Sequence, residues 1–145
     1  FLYGMFARAF GTNNMPDCSN MCHESSGVAL SETLGIGKGS VTLDDLYGAE
    51  VILVVGQNPG TNHPRMLSAL EKCKRNGGKI VSINPLAETG LVHFKNPQSV
   101  SDMLGSGQAM ADIHLPVKIN EDIALAKLIL KKLVALDAKN PNVLD

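Results

Sequence analysis

The sequence predicts an α/β domain with a three-layer, Rossmann-like arrangement around a mostly parallel sheet. Two short runs, Val51 to Val55 and Lys79 to Ile83, are rich in β-branched apolar residues and are expected to be strands. The first run is apolar at every position, which is typical of a parallel strand buried on both faces. The segment between the runs has the spacing of an amphipathic helix. Residues 51–83 are therefore expected to form one β-α-β unit, within a single domain that covers residues 1–145.

The first third of the chain predicts helices separated by polar loops. Leu2 to Phe10 has the apolar spacing of a short helix, and Gly11 is placed to end it. Turn-forming residues follow as far as Asp17, and a second helix is expected from about Cys22 to Leu34. The glycine-rich segment Gly35 to Ser40 lacks the spacing of a Walker loop or a dinucleotide fingerprint. We interpret it as a plain turn.

The middle of the chain predicts the elements that surround the two strands. Asp44 and Asp45 are expected to open a short helical turn before the first strand. After the loop from Gln57 to Pro64, a helix is expected that ends in basic residues before Gly77 and Gly78. Its apolar face consists of Met66, Leu67, Leu70 and Cys73.

The last third of the chain carries weaker signals. Residues 86–112 are punctuated by glycine and proline and are expected to form a long functional or inserted loop, with a turn of helix around Val100 to Leu104. His114 to Val117 is expected to be an edge strand because Pro116 lacks an N–H group. Asn120 is expected to cap a final helix. The apolar stripe of this helix consists of Ile123, Ala126, Leu130, Leu133 and Val134.

Composition limits the classes of function. The 145 residues are 44% hydrophobic with a net charge of −1, so there is no charge excess of the kind that nucleic acid or an anionic membrane attracts. No apolar run approaches the roughly 18 residues of a membrane-spanning helix. Three cysteines without a signal-peptide pattern do not indicate a disulfide framework, so the reducing cytoplasm is the expected compartment. The chain begins at Phe1 without a methionine, and we expect it to be a piece of a longer protein that holds only part of an active site.

The run from Asn13 to His23 is the most informative chemical feature. Cys22 and His23 place a thiol beside an imidazole where a polar loop is expected to enter a helix. Unpaired N–H groups at a helix N-terminus favour a thiolate, which makes Cys22 a candidate metal ligand or nucleophile and His23 its proton-transfer partner. A zinc site is a further interpretation, but structural zinc usually takes paired ligands from two segments. Cys18 is interpreted as a small buried side chain, and Cys73 as a core residue.

A second group of candidate residues follows the two predicted strands. Ligands of open α/β sheets bind beyond the carboxyl ends of the strands, where loops and helix N-termini present N–H groups. The loop Gly56 to Pro64 combines glycines, which permit close approach to a phosphate, with Asn58 and Asn62, which donate and accept hydrogen bonds. His63 either orients this loop or contacts a ligand. Asn84 follows the second strand.

The run from Asn13 to His23 resembles the active-site segment of the formate dehydrogenase-like molybdopterin oxidoreductases, the catalytic subunits of the dimethyl sulfoxide reductase superfamily. The matching residues include Asn13 and Asn14, which the resemblance implies are cofactor-binding residues. By the same resemblance, Cys22 falls on the molybdenum ligand and His23 on a neighbouring histidine that takes part in proton transfer. The chain departs from the family pattern at Asn20, where arginine is usual, and at the segment starting with Glu24, which replaces a Gly-Pro-Ser type segment.

The loop after the first strand is similar to the Gly-x-Asn-x-x-x-x-His-Pro loop of the same family, which lies against the guanine dinucleotide part of the cofactor. The resemblance implies that Gly56, Asn58 and His63 bind the cofactor. Asn84 stands where the family usually has an acidic residue that recognises guanosine, and Leu86 stands where arginine is usual. The resemblance extends from about residue 9 to residue 134.

The resemblance implies a bis(molybdopterin guanine dinucleotide) cofactor with molybdenum or tungsten, and two-electron chemistry at the metal. The implied partners are the remainder of the catalytic subunit, a small-molecule substrate, for which formate is the family default, and an electron-transfer partner. A 4Fe-4S cluster belongs to many members, but these residues contain no cysteine cluster for one. The isolated segment is expected to be inactive. A nucleotide-binding domain without molybdenum and a thiol-dependent enzyme are the alternatives.

Overall fold

The computed structural model describes residues 1–97 and 104–141. The chain is α/β, as the sequence predicts, with a small parallel sheet. The strands are β1 (Val51–Val55), β2 (Lys79–Ile83) and β3 (Ile113–Leu115). The helices that lie wholly within the described residues are α1 (Leu2–Phe10), α2 (Cys18–Cys22), α3 (Glu24–Leu34), α4 (Leu43–Gly48), α5 (Pro59–Asn62), α6 (Pro64–Arg75), α7 (Thr89–Val92) and α8 (Asp122–Asp137).

The chain divides into two compact units, Phe1–Val41 and Thr42–Asp145. In the first unit, α1 ends as predicted at Gly11, which adopts a left-handed conformation with φ 81°. The helix expected from Cys22 begins two residues later, because the short helix α2 precedes it and the backbone breaks at His23. Gly35 ends α3 with φ 77° and donates its N–H to the Ser31 carbonyl at 3.1 Å, which confirms a turn for the glycine-rich segment.

The second unit contains a three-stranded sheet in the order β1-β2-β3, and both pairs of strands are parallel. The register pairs Leu53 with Val81, and Val81 with Ile113. The prediction of an edge strand is confirmed for β3, which begins one residue earlier than expected and ends before Pro116. The β-α-β unit of β1, α6 and β2 therefore forms as predicted.

The core of the second unit lies between one face of the sheet and α6, which presents Leu67 and Leu70 to it. The opposite face of β1 is open, because Val51, Leu53 and Val55 are each more than half exposed. The prediction that this strand is buried on both faces is wrong for the described residues. The buried core cluster consists of Val54, Leu67, Leu70, Ile80, Leu91 and Met110.

The connection between β2 and β3 is anchored to α6 through a buried carboxylate. Glu71 is only 3% exposed and accepts hydrogen bonds from Arg75 at 2.7 Å, Asn96 at 2.6 Å and Gln108 at 3.4 Å. Phe94 and Gln108 pair in an antiparallel bridge nearby. These contacts hold the chain at Asn96 and at Gln108, within the stretch 86–112 that we expected to be an irregular loop. The helical turn expected around Val100 falls largely outside the described residues.

Helix α8 differs from its prediction in two respects. It begins at Asp122 with Glu121 at its N-cap, whereas Asn120 adopts a left-handed conformation with φ 71°, so the prediction that Asn120 caps the helix is wrong. None of its residues is buried, and the predicted apolar stripe is exposed, with Ile123 at 66%. No helix in the described part of the chain has both the length and the apolar character needed to cross a membrane.

Asp112 joins β2 to the segment before β3. Its Oδ2 atom accepts the N–H of the buried Ile80 at 2.9 Å, and its Oδ1 atom lies 3.3 Å from Lys74 Nζ and 3.7 Å from Lys79 Nζ. The hydrogen bond from Ile80 lowers the pKa of Asp112 below 3.8, and the charges of the two lysines add to this effect against the opposing influence of desolvation.

We expect Asp112→Asn to reduce the free energy of unfolding of the 145-residue chain by about 1 to 3 kcal/mol at pH 7. Because the folded-state pKa of Asp112 is below its ordinary value of 3.8, its stabilisation is complete above that value and is lost as the pH falls through the folded-state pKa. Urea denaturation between pH 2 and pH 7 measures both effects. The matched control is Asp44→Asn, at an exposed aspartate. An acid dependence that is unchanged in Asp112→Asn would contradict the assignment.

Candidate functional site

The short helix α2 is held by polar contacts rather than by burial. Asp17 lies at its N-cap, and its Oδ1 atom accepts the N–H of Asn20 at 3.1 Å. In return, the Oδ1 atom of Asn20 accepts the N–H of Asp17 at 3.3 Å, which completes a capping box. None of the residues of α2 is buried. The segment that leads to Cys22 therefore depends on these reciprocal hydrogen bonds for its helical conformation.

Two departures from the resembled family pattern contact each other. The side-chain amide of Asn20 donates a hydrogen bond to the carboxylate of Glu24, four residues later. This contact spans the break between α2 and α3, with Cys22 and His23 between its two ends. The hydrogen bond between Asn20 and Glu24 thus links the two helices on either side of the candidate site.

Cys22 and His23 lie at the junction of α2 and α3. Cys22 is the last residue of α2, and His23 is both the C-cap of α2 and the N-cap of α3. The His23 N–H donates to the Ser19 carbonyl at 3.0 Å, and its carbonyl accepts the N–H of Gly27 at 2.8 Å. Both side chains are exposed. The junction therefore carries a thiol and an imidazole on consecutive exposed residues.

The other residues of the predicted run have different surroundings. Asn13 and Asn14 are exposed in the loop before α2, where the Asn14 N–H donates to the Thr12 hydroxyl at 3.1 Å. Cys18 is exposed at the first position of α2, so its interpretation as a buried side chain is wrong. No group of three or more His, Cys, Asp or Glu side chains that could hold a metal ion lies within the described residues.

Cys73 is a core residue, as predicted. Its side chain is fully buried on α6, and its Sγ atom donates to the Ala49 carbonyl at 3.2 Å. Burial raises the pKa of the Cys73 thiol above its usual range. A Cβ atom on Gly78 would lie 2.4 Å from this sulfur, so Gly78 has no room for a side chain. Cys73 is therefore a poor nucleophile.

The loop after β1 contains the first part of a second candidate site. Gly56 adopts φ 63°, a conformation that favours glycine, and donates its N–H to the Ile83 carbonyl at 2.8 Å. The side-chain oxygen of Asn58 accepts the N–H of Thr61 at 3.3 Å and caps α5. These contacts fix the path of the loop at the carboxyl end of β1.

His63 orients this loop through a contact that the sequence did not reveal. The side-chain amide of Gln57 donates to His63 Nδ1 at 2.8 Å, and both residues lie before α6. This contact occupies Nδ1, and the Nε2 atom forms no side-chain hydrogen bond with any described residue. The exposed imidazole can therefore contact a ligand through Nε2.

The loops that follow β1 and β2 touch through two glycines. A Cβ atom on Gly60 in α5 would lie 3.2 Å from the Cα atom of Gly90 in α7, and a Cβ atom on Gly90 would lie 3.0 Å from the Cα atom of Gly60. Larger side chains would force the two backbones apart. The close approach of α5 and α7 places the predicted loop beside the segment that follows Asn84.

Asn84 is held within its own loop. It is 8% exposed, its N–H donates to the Leu115 carbonyl at 3.2 Å, and its side-chain oxygen accepts the N–H of Leu86 at 3.3 Å. Its side-chain amide donates to Glu88 Oε1 at 3.1 Å. Both polar ends of the Asn84 side chain therefore already have partners. Sequence reasoning missed Glu88, because it lies in a loop, where a spacing of four residues does not indicate a contact.

The chain has relatives among known proteins, although no family model matches it. An uncharacterized oxidoreductase of Mycobacterium tuberculosis is 57% identical over 125 residues, which are 86% of this chain and 16% of that protein. The chain is therefore similar to one segment of that oxidoreductase. Protein YdeP of Escherichia coli is 44% identical over 151 residues, which cover 100% of this chain and 20% of that protein.

A more distant relative bears a more specific name. Formate dehydrogenase H of Escherichia coli is 30% identical over 122 residues, which are 83% of this chain and 14% of that protein. The chain thus spans a fifth or less of the length of each of these three relatives.

We expect Asn20→Ala to loosen α2, because it removes one half of the capping box and the contact with Glu24. Because the backbone N–H at position 20 still donates to Asp17, the helix should lose about 0.5 kcal/mol, the low end of the range for a helix cap. Hydrogen exchange at the Met21 and His23 amides should accelerate accordingly, as read by mass spectrometry of the 145-residue chain. Asn14→Ala, at an exposed asparagine of the preceding loop, is the control. Equal exchange in the two variants would contradict the role of Asn20.

The three cysteines should differ in their reaction with iodoacetamide in the folded chain. Cys18 and Cys22 are exposed and should be alkylated readily, whereas Cys73 is buried and should react about ten-fold or more slowly. Peptide mass spectrometry at timed intervals measures the three rates, and denaturation with urea should make them similar. Rapid alkylation of Cys73 without denaturant would show that its site is open in solution.

Proposed function

We propose that this chain is the molybdopterin guanine dinucleotide-binding segment of a formate dehydrogenase-like oxidoreductase that contains molybdenum or tungsten. The observation that carries the proposal is the exposed pair Cys22 and His23 at the junction of α2 and α3. The 30% identity to formate dehydrogenase H over 83% of the chain supports it.

The residues at the junction fit a metal that arrives within an organic cofactor. Such a metal takes fewer ligands from the protein than a bare ion, so a single thiolate is sufficient, and thiolates suit soft metal centres. Cys22 is exposed and forms no side-chain hydrogen bond with any described residue, so its sulfur is available as the metal ligand. The bound cofactor would supply two-electron oxidation or reduction at the metal.

His23 is proposed to carry the proton that accompanies this chemistry. An imidazole changes its protonation state near neutral pH, which suits a group that gives and takes a proton in each cycle. Because His23 follows Cys22 directly, its backbone is never more than one residue from the proposed metal ligand. The link between Asn20 and Glu24 limits the motion of the backbone on both sides.

The loop from Gly56 to Pro64 is proposed to hold the dinucleotide. It leads into α6, a helix of 12 residues with Pro64 in its first turn and no acidic residue there. The positive end of this helix is therefore not neutralised by its own side chains and favours a phosphate. Asn58 and the Nε2 atom of His63 offer further hydrogen bonds, and Asn84 lies at the end of the neighbouring strand.

The remaining parts of the proposal concern the full-length protein. A small-molecule substrate, an electron-transfer partner and the rest of the catalytic subunit complete the activity, and formate is the first substrate to screen. We propose a cytoplasmic location, and a 4Fe-4S cluster would have to be bound by residues beyond this segment.

We expect the full-length parent protein to contain about one molybdenum or tungsten per chain together with pterin, when purified without air from a host that makes the guanine dinucleotide cofactor. Cys22→Ser should lower its redox activity by about 100-fold or more and change the metal's X-ray absorption spectrum, because the sulfur ligand is lost. Cys18→Ser, which changes an exposed cysteine four residues earlier, is the control and should leave both unchanged.

Three outcomes separate this proposal from its alternatives. A well-folded preparation with neither metal nor pterin would contradict it. In that case, rapid alkylation of Cys22 coupled to loss of activity would favour a thiol-dependent enzyme, and nucleotide binding that does not depend on Cys22 would favour a nucleotide-binding domain without molybdenum. Unchanged metal spectra in Cys22→Ser would remove Cys22 from the ligand set.

A further inference from the structure

Glu88 is a carboxylate that the loop after β2 holds in place. Its Oε1 atom accepts a hydrogen bond at 3.1 Å from the side-chain amide of Asn84, which is itself 8% exposed and held by the Leu86 N–H at 3.3 Å. A rigid amide therefore fixes the direction of the Glu88 side chain. Glu88 is half-buried, and it directly precedes α7.

The second oxygen of this carboxylate is available. Within the described residues, Glu88 Oε2 accepts no hydrogen bond, and no lysine, arginine or histidine forms an ion pair with Glu88. No buried side-chain oxygen among the described residues lacks a partner, so the Oε2 atom of this half-buried side chain faces solvent, where a ligand can reach it. Glu71 differs, because its carboxylate is buried and already accepts hydrogen bonds from three donors.

The location of Glu88 connects it to the loop after β1. Gly90, two residues after Glu88, lies against Gly60, and the backbones approach so closely that a Cβ atom on either glycine would crowd the other. A hydrogen bond of 2.8 Å between the Gly56 N–H and the Ile83 carbonyl also joins the ends of the two strands that these loops follow. The carboxylate therefore stands beside the loop that is proposed to hold the dinucleotide.

We infer that Glu88 is the residue that reads the nucleoside, by accepting hydrogen bonds from the N1–H and N2–H groups of a guanine base. This inference rests on the proposed function. An ionised carboxylate only accepts hydrogen bonds, so it pairs with an edge that presents two donors, whereas the corresponding edge of adenine presents an acceptor that would face the carboxylate. Asn84 does not fill this role, because both polar ends of its side chain are engaged within the loop.

The test uses the full-length parent protein, purified without cofactor from a host that cannot make it. Calorimetric titration with GMP, IMP, AMP and 2′-deoxy-GMP is compared between the wild type, Glu88→Gln and the control Glu121→Gln, which changes an exposed glutamate of the same unit. The glutamine at position 88 still accepts the hydrogen bond from Asn84, so the loop should keep its fold, which thermal unfolding verifies.

We expect the wild type to bind GMP and 2′-deoxy-GMP on the order of ten-fold to a hundred-fold more tightly than IMP and AMP, because IMP lacks the N2 amino group and AMP presents the wrong edge. Glu88→Gln should weaken GMP binding by a similar factor and remove the preference over IMP. Glu121→Gln should behave as the wild type. In a host that makes the cofactor, Glu88→Gln should also retain less pterin after gel filtration.

Each contrary result has a distinct meaning. If Glu88→Gln keeps both the preference for GMP and the pterin content of the wild type, the inference is overturned while the proposed function stands. A different pattern would show that the carboxylate binds ribose: the wild type would bind 2′-deoxy-GMP weakly, and Glu88→Gln would weaken the binding of GMP and of IMP by the same factor. That result would overturn the assignment to guanine. If the wild type contains no pterin when it is made in a host that supplies the cofactor, the proposed function fails. If it contains pterin there but its cofactor-free form shows no preference for GMP, only the inference about Glu88 is overturned.

Discussion

The parallel pairing of β1 with β2 is the constraint on which the second unit depends. It runs from Val51 opposite Lys79 to Val55 opposite Ile83, and the Gly56 N–H extends it by one hydrogen bond to the Ile83 carbonyl at 2.8 Å. Because both strands end at the same edge, the loops that leave them start side by side. The contact between Gly60 and Gly90 follows from this geometry, as does the position of Glu88 beside the loop after β1.

Polar side chains hold described parts of the connection between β2 and β3. Lys74 donates to the carbonyls of Ala109 and Met110, Glu71 accepts from Asn96 and Gln108, and Asp112 accepts from the Ile80 N–H. No buried side-chain nitrogen or oxygen within the described residues lacks a partner. Where these groups are partly buried, the contacts replace hydrogen bonds to water that burial removes.

The two candidate sites are built by different physical means. Cys22 and His23 are neighbours in the chain, and α2 presents them through a capping box and the contact of Asn20 with Glu24, without a buried residue. The candidate nucleotide site instead collects residues from two loops that only the sheet brings together. The metal ligand proposed for the first site therefore depends on local hydrogen bonds, and the nucleotide contacts proposed for the second depend on strand pairing.

The sequence by itself determined the α/β class, both central strands and α6, because apolar periodicity reports directly on elements that pack against a core. It also determined the adjacency of Cys22 and His23. Only the tertiary structure decided that one face of β1 is open, that Cys18 is exposed and that Asn84 donates a hydrogen bond to Glu88. The periodicity of one strand does not specify what covers its faces, and side-chain hydrogen bonds depend on how the loops fold, which no local pattern encodes.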